Sequence, residues 1–215
     1  IEHPVLYLDF NASNYKETDS LAINLNNHLT AWEKFYGTEP SEQDYSTRFM
    51  GVIRRAHAKT GQQVVILIDE YDKALLDTLE DEELNTQYRD VLGAFYSVIK
   101  TCDQYIRLAF LTGVTKFSKV SIFSDLNNLE DISLRNDYAG ICGITGQELE
   151  QNFEPEIEAL SIAEGLTRSK TLATLKKQYD GYLFAKAGVN VYNPFSLLSA
   201  FKAKDFGSYW FSTGT

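Results

Sequence analysis

The sequence predicts an α/β fold, in which a parallel sheet carries helices on both faces and a small helical subdomain follows. Short apolar runs alternate with helical periodicities over residues 1–145, which is typical of a parallel sheet. These runs are mostly apolar, with one of them interrupted by Arg107, and continuous rather than alternating apolarity is expected for strands buried on both faces. After Thr145 no further run of this kind occurs. The predicted domains are therefore residues 1–145 and residues 146–215.

The predicted strands are four apolar runs bounded by polar or glycine residues, at 5–10, 64–68, 106–111 and 139–144. We expect the first three to form an intact parallel unit in that spatial order. The fourth run, 139–144, is expected to be displaced from this unit or bonded to another element.

Helical periodicity fills the intervals between the runs. Apolar residues recur at spacings of three or four over residues 21–36, 45–56 and 84–99, as on the buried face of an amphipathic helix. Ser41 with Asp44 three residues later is interpreted as a capping box that opens the second helix.

Helical patterns dominate the remainder of the chain. Thr145 with Glu148 has the spacing of a capping box, and Asn193 followed by Pro194 is a typical helix start. The predicted helices cover 146–153, 155–163, 169–179 and 195–202.

Composition and charge exclude several classes of protein. Thirty acidic against twenty basic side chains give a net charge of −10, which argues against broad binding to nucleic acid or anionic membranes. Neither an apolar run long enough to span a membrane nor a signal peptide is present. Cys102 and Cys142 form no metal-binding or redox pair, so a reduced, cytoplasmic protein is expected.

The two ends of the sequence suggest a piece of a longer protein. The chain starts at Ile1 and runs almost directly into the first predicted strand, and it stops on the aromatic cluster 209–211. We therefore expect a middle fragment of its parent protein.

The candidate chemistry lies where the second predicted strand ends. Residues 64–70 read VVILIDE, five apolar residues followed by two acids, which is the pattern of a Walker B strand. Asp69 is the candidate Mg²⁺ residue, through water, and Glu70 the candidate catalytic residue that orients a water for attack on phosphate. The alternative is that these acids only mark the point where a strand reaches solvent.

The third predicted strand ends in Thr112 and Gly113, as a sensor strand beside a Walker B strand would. Thr112 is the second catalytic candidate, and Lys116 is the candidate for cofactor binding. Lys119 and Arg135 lie in the same basic stretch. A turn sequence and a solvated basic loop are the alternatives for these residues.

A phosphate-binding loop is missing from the sequence. The pattern GxxxxGK[ST] does not occur in the 215 residues. Residues 164–171 end in Lys-Thr, but they have Glu164 and Ser169 in place of the two glycines and follow no strand.

Several motifs together give the chain a family resemblance. They are VVILIDEYDKALLD (64–77), FLTGVTKFSKVSIFSDLNNLEDIS (110–133), YDGYLF (179–184), VYNPFSLL (191–198) and YWFSTGT (209–215). In this order they resemble the bacterial predicted AAA-ATPase-like family, whose members usually also carry a nuclease-like domain of the PD-(D/E)XK type. The resemblance implies a three-layer parallel sheet of the P-loop ATPase type, incomplete here because the phosphate-loop strand lies upstream. It further implies that the parent protein binds ATP and Mg²⁺, with Asp69 and Glu70 as the Walker B pair, while this fragment alone binds neither.

Three functional hypotheses follow. The first is the core of an ATPase that uses Glu70 and Thr112. The second is a non-catalytic protein-interaction module on an NTPase-like scaffold, with self-association through exposed strand edges. The third is a metal-dependent nuclease or phosphatase that uses Asp69, Glu70 and Asp72 as an acidic cluster. It fits poorly because an extended strand points Asp69 and Glu70 to opposite faces.

Overall fold

The computed structural model describes residues 2–115, 129–183 and 188–209. It divides into two compact units, Ile1–Leu129 and Glu130–Thr215. The sequence analysis places the domain boundary after residue 145, whereas this division assigns residues 130–145 to the second unit. Each unit is described by itself.

The first unit contains a parallel three-stranded sheet. Its strands are β1 (Val5–Asp9), β2 (Val64–Asp69) and β3 (Ile106–Leu111), in the spatial order β1-β2-β3. The register aligns Leu8 with Ile68 and Ile68 with Leu111. The predicted three-strand unit and its order are confirmed.

Helices connect these strands. They are α1 (Ser20–Tyr36), α2 (Tyr45–Thr60), α3 (Lys73–Asp77) and α4 (Glu82–Thr101), with a short 3-10 turn at Asp103–Tyr105. The α2 capping box joins Asp44 to Thr47, so the predicted box of Ser41 and Asp44 is wrong. The reason is that Asp44 is the extended residue that immediately precedes the helix, and its carboxylate accepts the Thr47 amide at 2.9 Å.

The helices α1, α2 and α4 share one core with one face of the sheet. Leu6, Leu8 and Ile66 are fully buried against them. Burial of one such side chain contributes about 1.5–3 kcal/mol. Phe49 of α2 and Phe95 of α4 stack with ring centroids 4.5 Å apart, which fixes these two helices against each other.

The opposite face of the sheet is open among the described residues. Val5, Tyr7 and Leu108 are 52%, 47% and 51% exposed. The prediction of strands buried on both faces is therefore wrong for the described part of the first unit, where helices cover one face only. Exposed and buried side chains alternate along β1, because Leu6 and Leu8 are fully buried. We call the surface formed by Val5, Tyr7, Val65, Leu67, Leu108 and Phe110 the open face.

The second unit combines helices with a small antiparallel sheet that the sequence analysis missed. Its strands are β4 (Ile144–Thr145), β5 (Asp180–Tyr182) and β6 (Val191–Tyr192), in the order β4-β6-β5. Strands of two or three residues are too short to produce a periodic pattern. The helices are α5 (Gly146–Asn152), α6 (Glu154–Glu164), α7 (Arg168–Tyr179) and α8 (Pro194–Ala203).

The predicted strand at 139–144 is wrong in most of its length. A 3-10 turn at Asn136–Tyr138 leads into further turns, and within this run only Ile144 is in a strand, antiparallel to β6. Gly140 and Gly143 interrupt the apolar run. A Cβ atom at Gly143 would lie 2.3 Å from Val191 Cγ2, so this glycine permits the close approach to β6.

The predicted helix starts of the second unit are confirmed. Thr145 and Glu148 form the expected capping box of α5. Asn193 caps α8 by accepting the Ser196 amide at 2.9 Å. The side chains of Leu149, Ile157, Leu160, Leu175 and Leu197 form the centre of this unit's core.

Candidate active site at the carboxyl edge of the parallel sheet

The carboxyl ends of the three parallel strands bring the candidate residues together. Asp9 ends β1, Asp69 ends β2, and Thr112 directly follows β3. The register pairs Asp9 with Asp69, and Leu111 with Ile68. Because side chains alternate along a strand, Asp9, Asp69 and Thr112 all lie on the open face of the sheet. This edge is where open α/β sheets bind their ligands.

Asp69 is held by hydrogen bonds to both of its carboxylate oxygens. The Thr112 hydroxyl donates to Oδ1 at 2.5 Å, and the Tyr7 hydroxyl donates to Oδ2 at 3.3 Å. The Thr112 amide also donates to the carbonyl of Ile68 at 2.9 Å, which extends the β2–β3 pairing by one residue. A carboxylate has about four acceptor positions. Asp69 is partly exposed and therefore keeps the capacity to accept further hydrogen bonds from water.

Tyr7 is a site residue that the sequence analysis missed. Its position two residues before Asp9 in an alternating strand is the signal that could have placed it beside Asp69. Partial desolvation, and then the negative charges of Asp69 and Asp9, raise the pKa of the Tyr7 hydroxyl above its usual value. The phenol therefore stays protonated and remains a donor to Asp69.

Glu70 has a left-handed backbone, with φ of +56°. Non-glycine residues adopt this conformation rarely and at a cost, and such strain is concentrated at functional sites. The turn breaks the strand alternation, so the argument that Asp69 and Glu70 point to opposite faces does not apply. The Glu70 amide donates to the Thr112 hydroxyl oxygen at 3.4 Å, so this hydroxyl links the Asp69 carboxylate to the backbone of Glu70.

The carboxyl group of Glu70 is biased toward binding a proton. Partial burial, and then repulsion from Asp72 and Asp69, raise the pKa of Glu70 above its usual value. A raised pKa moves a carboxylate toward the range in which it serves as a general base near neutral pH.

Asp72 is buried, with 1% of its surface exposed. Its carboxylate accepts hydrogen bonds from the amides of Val114 and Thr115, at 3.2 and 2.5 Å, and from the Thr115 hydroxyl at 2.5 Å. The sequence allows two interpretations of Asp72, a residue that supports the acidic pair and a surface residue at a helix start, and the second is wrong. A single sequence does not distinguish an exposed cap from an acid that binds a distant loop.

The Asp9 carboxylate binds the loop that directly follows β1. Its Oδ1 accepts the amide of Asn11 at 2.8 Å, as in an Asx turn. Its carbonyl accepts Asn24 Nδ2 at 3.2 Å, and His28 Nε2 lies 3.4 Å from the same oxygen. These contacts attach the end of β1 to α1.

The structure describes only one of the three basic candidates, Arg135. Lys116 and Lys119 lie outside the described residues. Arg135 is exposed and forms ion pairs with Glu130 and Asp137. Its guanidinium group also lies 5.6 Å from the centroid of the Tyr138 ring.

Neither a ready-made metal cluster nor a membrane-spanning helix occurs among the described residues. In residues 2–115, 129–183 and 188–209, no group of three or more His, Cys, Asp or Glu side chains is arranged to hold a metal ion. None of the helices in these ranges combines the length and the apolar character needed to cross a membrane.

Comparisons with known proteins identify a family profile and a relative that match the sequence. The profile of a family described as "Predicted AAA-ATPase" matches residues 1–123, which include the whole parallel sheet and Thr112. An uncharacterized protein in the vnfD 5' region of Azotobacter chroococcum mcd 1 is 41% identical over 213 residues. This match covers 99% of the chain but only 39% of the relative. No solved structure matches. By this family profile, the chain belongs to the predicted AAA-ATPase family.

Proposed function

We propose that this chain supplies the acidic part of a Mg²⁺-dependent ATP-hydrolysis site, with Asp69 and Glu70 as its Walker B pair. The observation that carries the proposal is the hydrogen bond of 2.5 Å between Thr112 and Asp69. It joins the ends of two adjacent parallel strands at the ligand-binding edge, in a chain of the predicted AAA-ATPase family.

The three residues have separate roles in this proposal. Asp69, oriented through Thr112 and Tyr7, would hold Mg²⁺ through a bound water. Glu70 would accept a hydrogen bond from the attacking water and orient it. Its pKa is raised by partial burial and by neighbouring acids. Thr112 would hold the two acids in fixed relative positions and contact the γ-phosphate side of the site.

The donor set fits Mg²⁺ that arrives with a nucleotide. Mg²⁺ keeps several waters and is usually bound by one or two carboxylates together with substrate phosphates. One partly exposed carboxylate, Asp69, meets this requirement, whereas a resident metal would need more ligands. When bound, the ion would neutralise charge on the phosphates and orient them.

The phosphate loop would have to come from outside residues 1–215, because GxxxxGK[ST] is absent from them. Among the described residues, the outer edge of β3 has no paired strand. A strand added there and a helix laid on the open face would bring a phosphate loop beside Asp69 and Thr112. Lys116 is a further candidate contact to phosphate.

The open face also favours a second candidate function, a non-catalytic protein-interaction module that binds a partner or a second copy of the chain. Leu108 of the edge strand β3 is half-exposed on this face. This alternative predicts concentration-dependent self-association that Leu108→Lys abolishes, together with a full-length protein that hydrolyses no ATP. The nuclease hypothesis is weakened because Asp72 is buried and bound to the Thr115 loop, which removes one of its three acids.

The test compares ATP hydrolysis by the full-length wild-type protein and by its Asp69→Asn variant at several Mg²⁺ concentrations. The matched control is Asp90→Asn, a change of an exposed acid on α4. We expect Asp69→Asn to lower turnover at least about tenfold and to require more Mg²⁺, while the control behaves as wild type. Equal turnover in all three proteins would refute the proposal.

A further inference from the structure

We propose that Asp72 is a positioning residue that fixes the loop 112–115 and thereby the location of Thr112. This loop is called the sensor loop below. The inference rests on the proposed function, because it assigns a role to Asp72 within the same site.

The contacts of Asp72 are directed almost wholly to the sensor loop. Its carboxylate accepts the amides of Val114 and Thr115 and the Thr115 hydroxyl, at 3.2, 2.5 and 2.5 Å. Asp72 also occupies the N-cap position of α3, where an aspartate usually caps its own helix. Within the described structure, its side chain makes no capping hydrogen bond to α3. The carboxylate therefore binds a segment more than 40 residues away in the sequence instead of capping its own helix.

Tyr71 binds the same loop by two further groups. Its hydroxyl donates to the carbonyl of Thr115 at 2.5 Å, and its amide donates to the carbonyl of Thr112 at 2.8 Å. Its own carbonyl accepts the Tyr96 hydroxyl at 3.1 Å, which connects this arrangement to the core of α4. Tyr71 is 5% exposed, so its side chain is packed in the interior. Asp72 and Tyr71 together are called the clamp below.

Gly113 shows how closely the sensor loop lies against this pair. A Cβ atom at this position would stand 2.6 Å from Asp72 Oδ1 and 2.6 Å from Tyr71 Cε1. Real Cβ atoms do not approach other atoms so closely. Any side chain at position 113 would therefore push the loop away from Asp72, without removing a hydrogen-bonding group.

Thr112 depends on this clamp because packing does not hold it. Its side chain is exposed, and its hydroxyl reaches Asp69 at 2.5 Å and the Glu70 amide at 3.4 Å. On its N-terminal side, β3 sets its position. On its C-terminal side, its position is set by the rest of the sensor loop, which Asp72 and Tyr71 bind. Loss of the Asp72 carboxylate should therefore displace Thr112 from Asp69, and small displacements of catalytic groups lower turnover strongly.

The first part of the experiment needs no nucleotide. The chain labelled with ¹⁵N-threonine is examined by NMR as wild type and as Asp72→Asn, Thr115→Val and Gly113→Ala, with Asp90→Asn as control. We expect the Thr112 amide resonance to move in all three variants, and the Thr115 resonance to move in Asp72→Asn and Gly113→Ala, which retain that residue. Both resonances should stay in place in the control. If Asp72→Asn does not fold, Thr115→Val and Gly113→Ala perturb the same contact from the loop side. An unmoved Thr112 resonance in the folded variants would overturn the inference.

The second part measures steady-state ATP hydrolysis by the full-length proteins. Asp72→Asn should lower kcat about 10- to 100-fold, with KM for ATP nearly unchanged, and adding Thr115→Val to it should lower kcat no further. A change in melting temperature with unchanged kcat would assign Asp72 to stability alone and overturn the inference. If the wild type hydrolyses no ATP, the proposed function fails, and the Thr112 resonance alone decides whether Asp72 positions the loop.

Discussion

The Thr112 hydroxyl donates a hydrogen bond of 2.5 Å to the Asp69 carboxylate, although the two residues are 43 positions apart in the sequence. The contact exists because β2 and β3 are parallel neighbours whose carboxyl ends meet at one edge. It connects the candidate metal residue to the candidate sensor without any intervening side chain.

Thr112→Val tests the strength of this contact. Valine keeps the shape of threonine but donates no hydrogen bond, so Asp69 loses its partner on Oδ1 and the Glu70 amide loses its acceptor. We expect unfolding in urea to require about 0.5–1.5 kcal/mol less free energy. Thr112→Ser retains the hydroxyl and should stay close to wild type. A loss in Thr112→Ser without a loss in Thr112→Val would indicate that the methyl group, and not the hydrogen bond, stabilises this edge.

Glu70→Gly should relieve backbone strain. A side chain in the left-handed region costs about 1–2 kcal/mol, and Glu70 has φ of +56°. Glycine adopts this conformation freely, so Glu70→Gly should unfold at a temperature about 2–4 °C above that of Glu70→Ala. Calorimetric melting curves of both variants provide the measurement. A lower melting temperature for the glycine variant would contradict the strained turn.

The stability of the protein should depend on pH through Glu70. Partial burial, and then the charges of Asp72 and Asp69, raise the pKa of Glu70 in the folded state above the value of about 4.3 in the unfolded chain. Between these two pKa values the folded state binds more protons, so the contribution of Glu70 to stability falls as pH rises through that window.

Glu70→Gln isolates this contribution, because the other titrating groups are common to both proteins. The variant should gain stability relative to wild type at pH 7, and the difference should shrink toward pH 4. Urea unfolding at the two pH values measures it. A stability difference that grows as pH falls would mean that the pKa of Glu70 is lowered in the folded state.

The 215-residue chain alone should bind ATP poorly. Backbone amides and the lysine of a phosphate loop supply most phosphate contacts, and GxxxxGK[ST] is absent from this sequence. We expect no saturable binding below about 1 mM, which corresponds to about 4 kcal/mol. Titration calorimetry with ATP and Mg²⁺ is the measurement, and micromolar affinity would show that the chain carries a complete phosphate site of another kind.

Much of the fold could be predicted because hydrophobic periodicity reports local structure directly. The strands β1, β2 and β3, the helices α1, α2 and α4 and the caps at Thr145 and Asn193 follow from local patterns. The exposed side of the sheet could not be predicted, since an apolar run such as 106–111 does not reveal whether a second layer covers it. Gly140 and Gly143 are visible signals that the run at 139–144 is a weak strand.

The candidate site was predictable in its acids and less so in the contacts that hold them. Asp69 and Glu70 stand out because they follow an apolar run, and Thr112 because it follows the next one. The roles of Tyr7 and Asp72 depend on pairing between segments that are 62 and 43 residues apart. Neither the register of β1 against β2 nor the path of the sensor loop is encoded in a local pattern.

The central claim is that Glu70 orients the water that attacks ATP in the assembled site. The most direct measurement compares nucleotide affinity and single-turnover hydrolysis of the full-length wild type and Glu70→Gln, with Glu80→Gln as a control at an exposed position. Glutamine keeps the size and polarity of the side chain but does not activate water. The account predicts ATP affinity within about twofold of wild type and hydrolysis slowed at least about 100-fold. Hydrolysis by Glu70→Gln at the wild-type rate would contradict it.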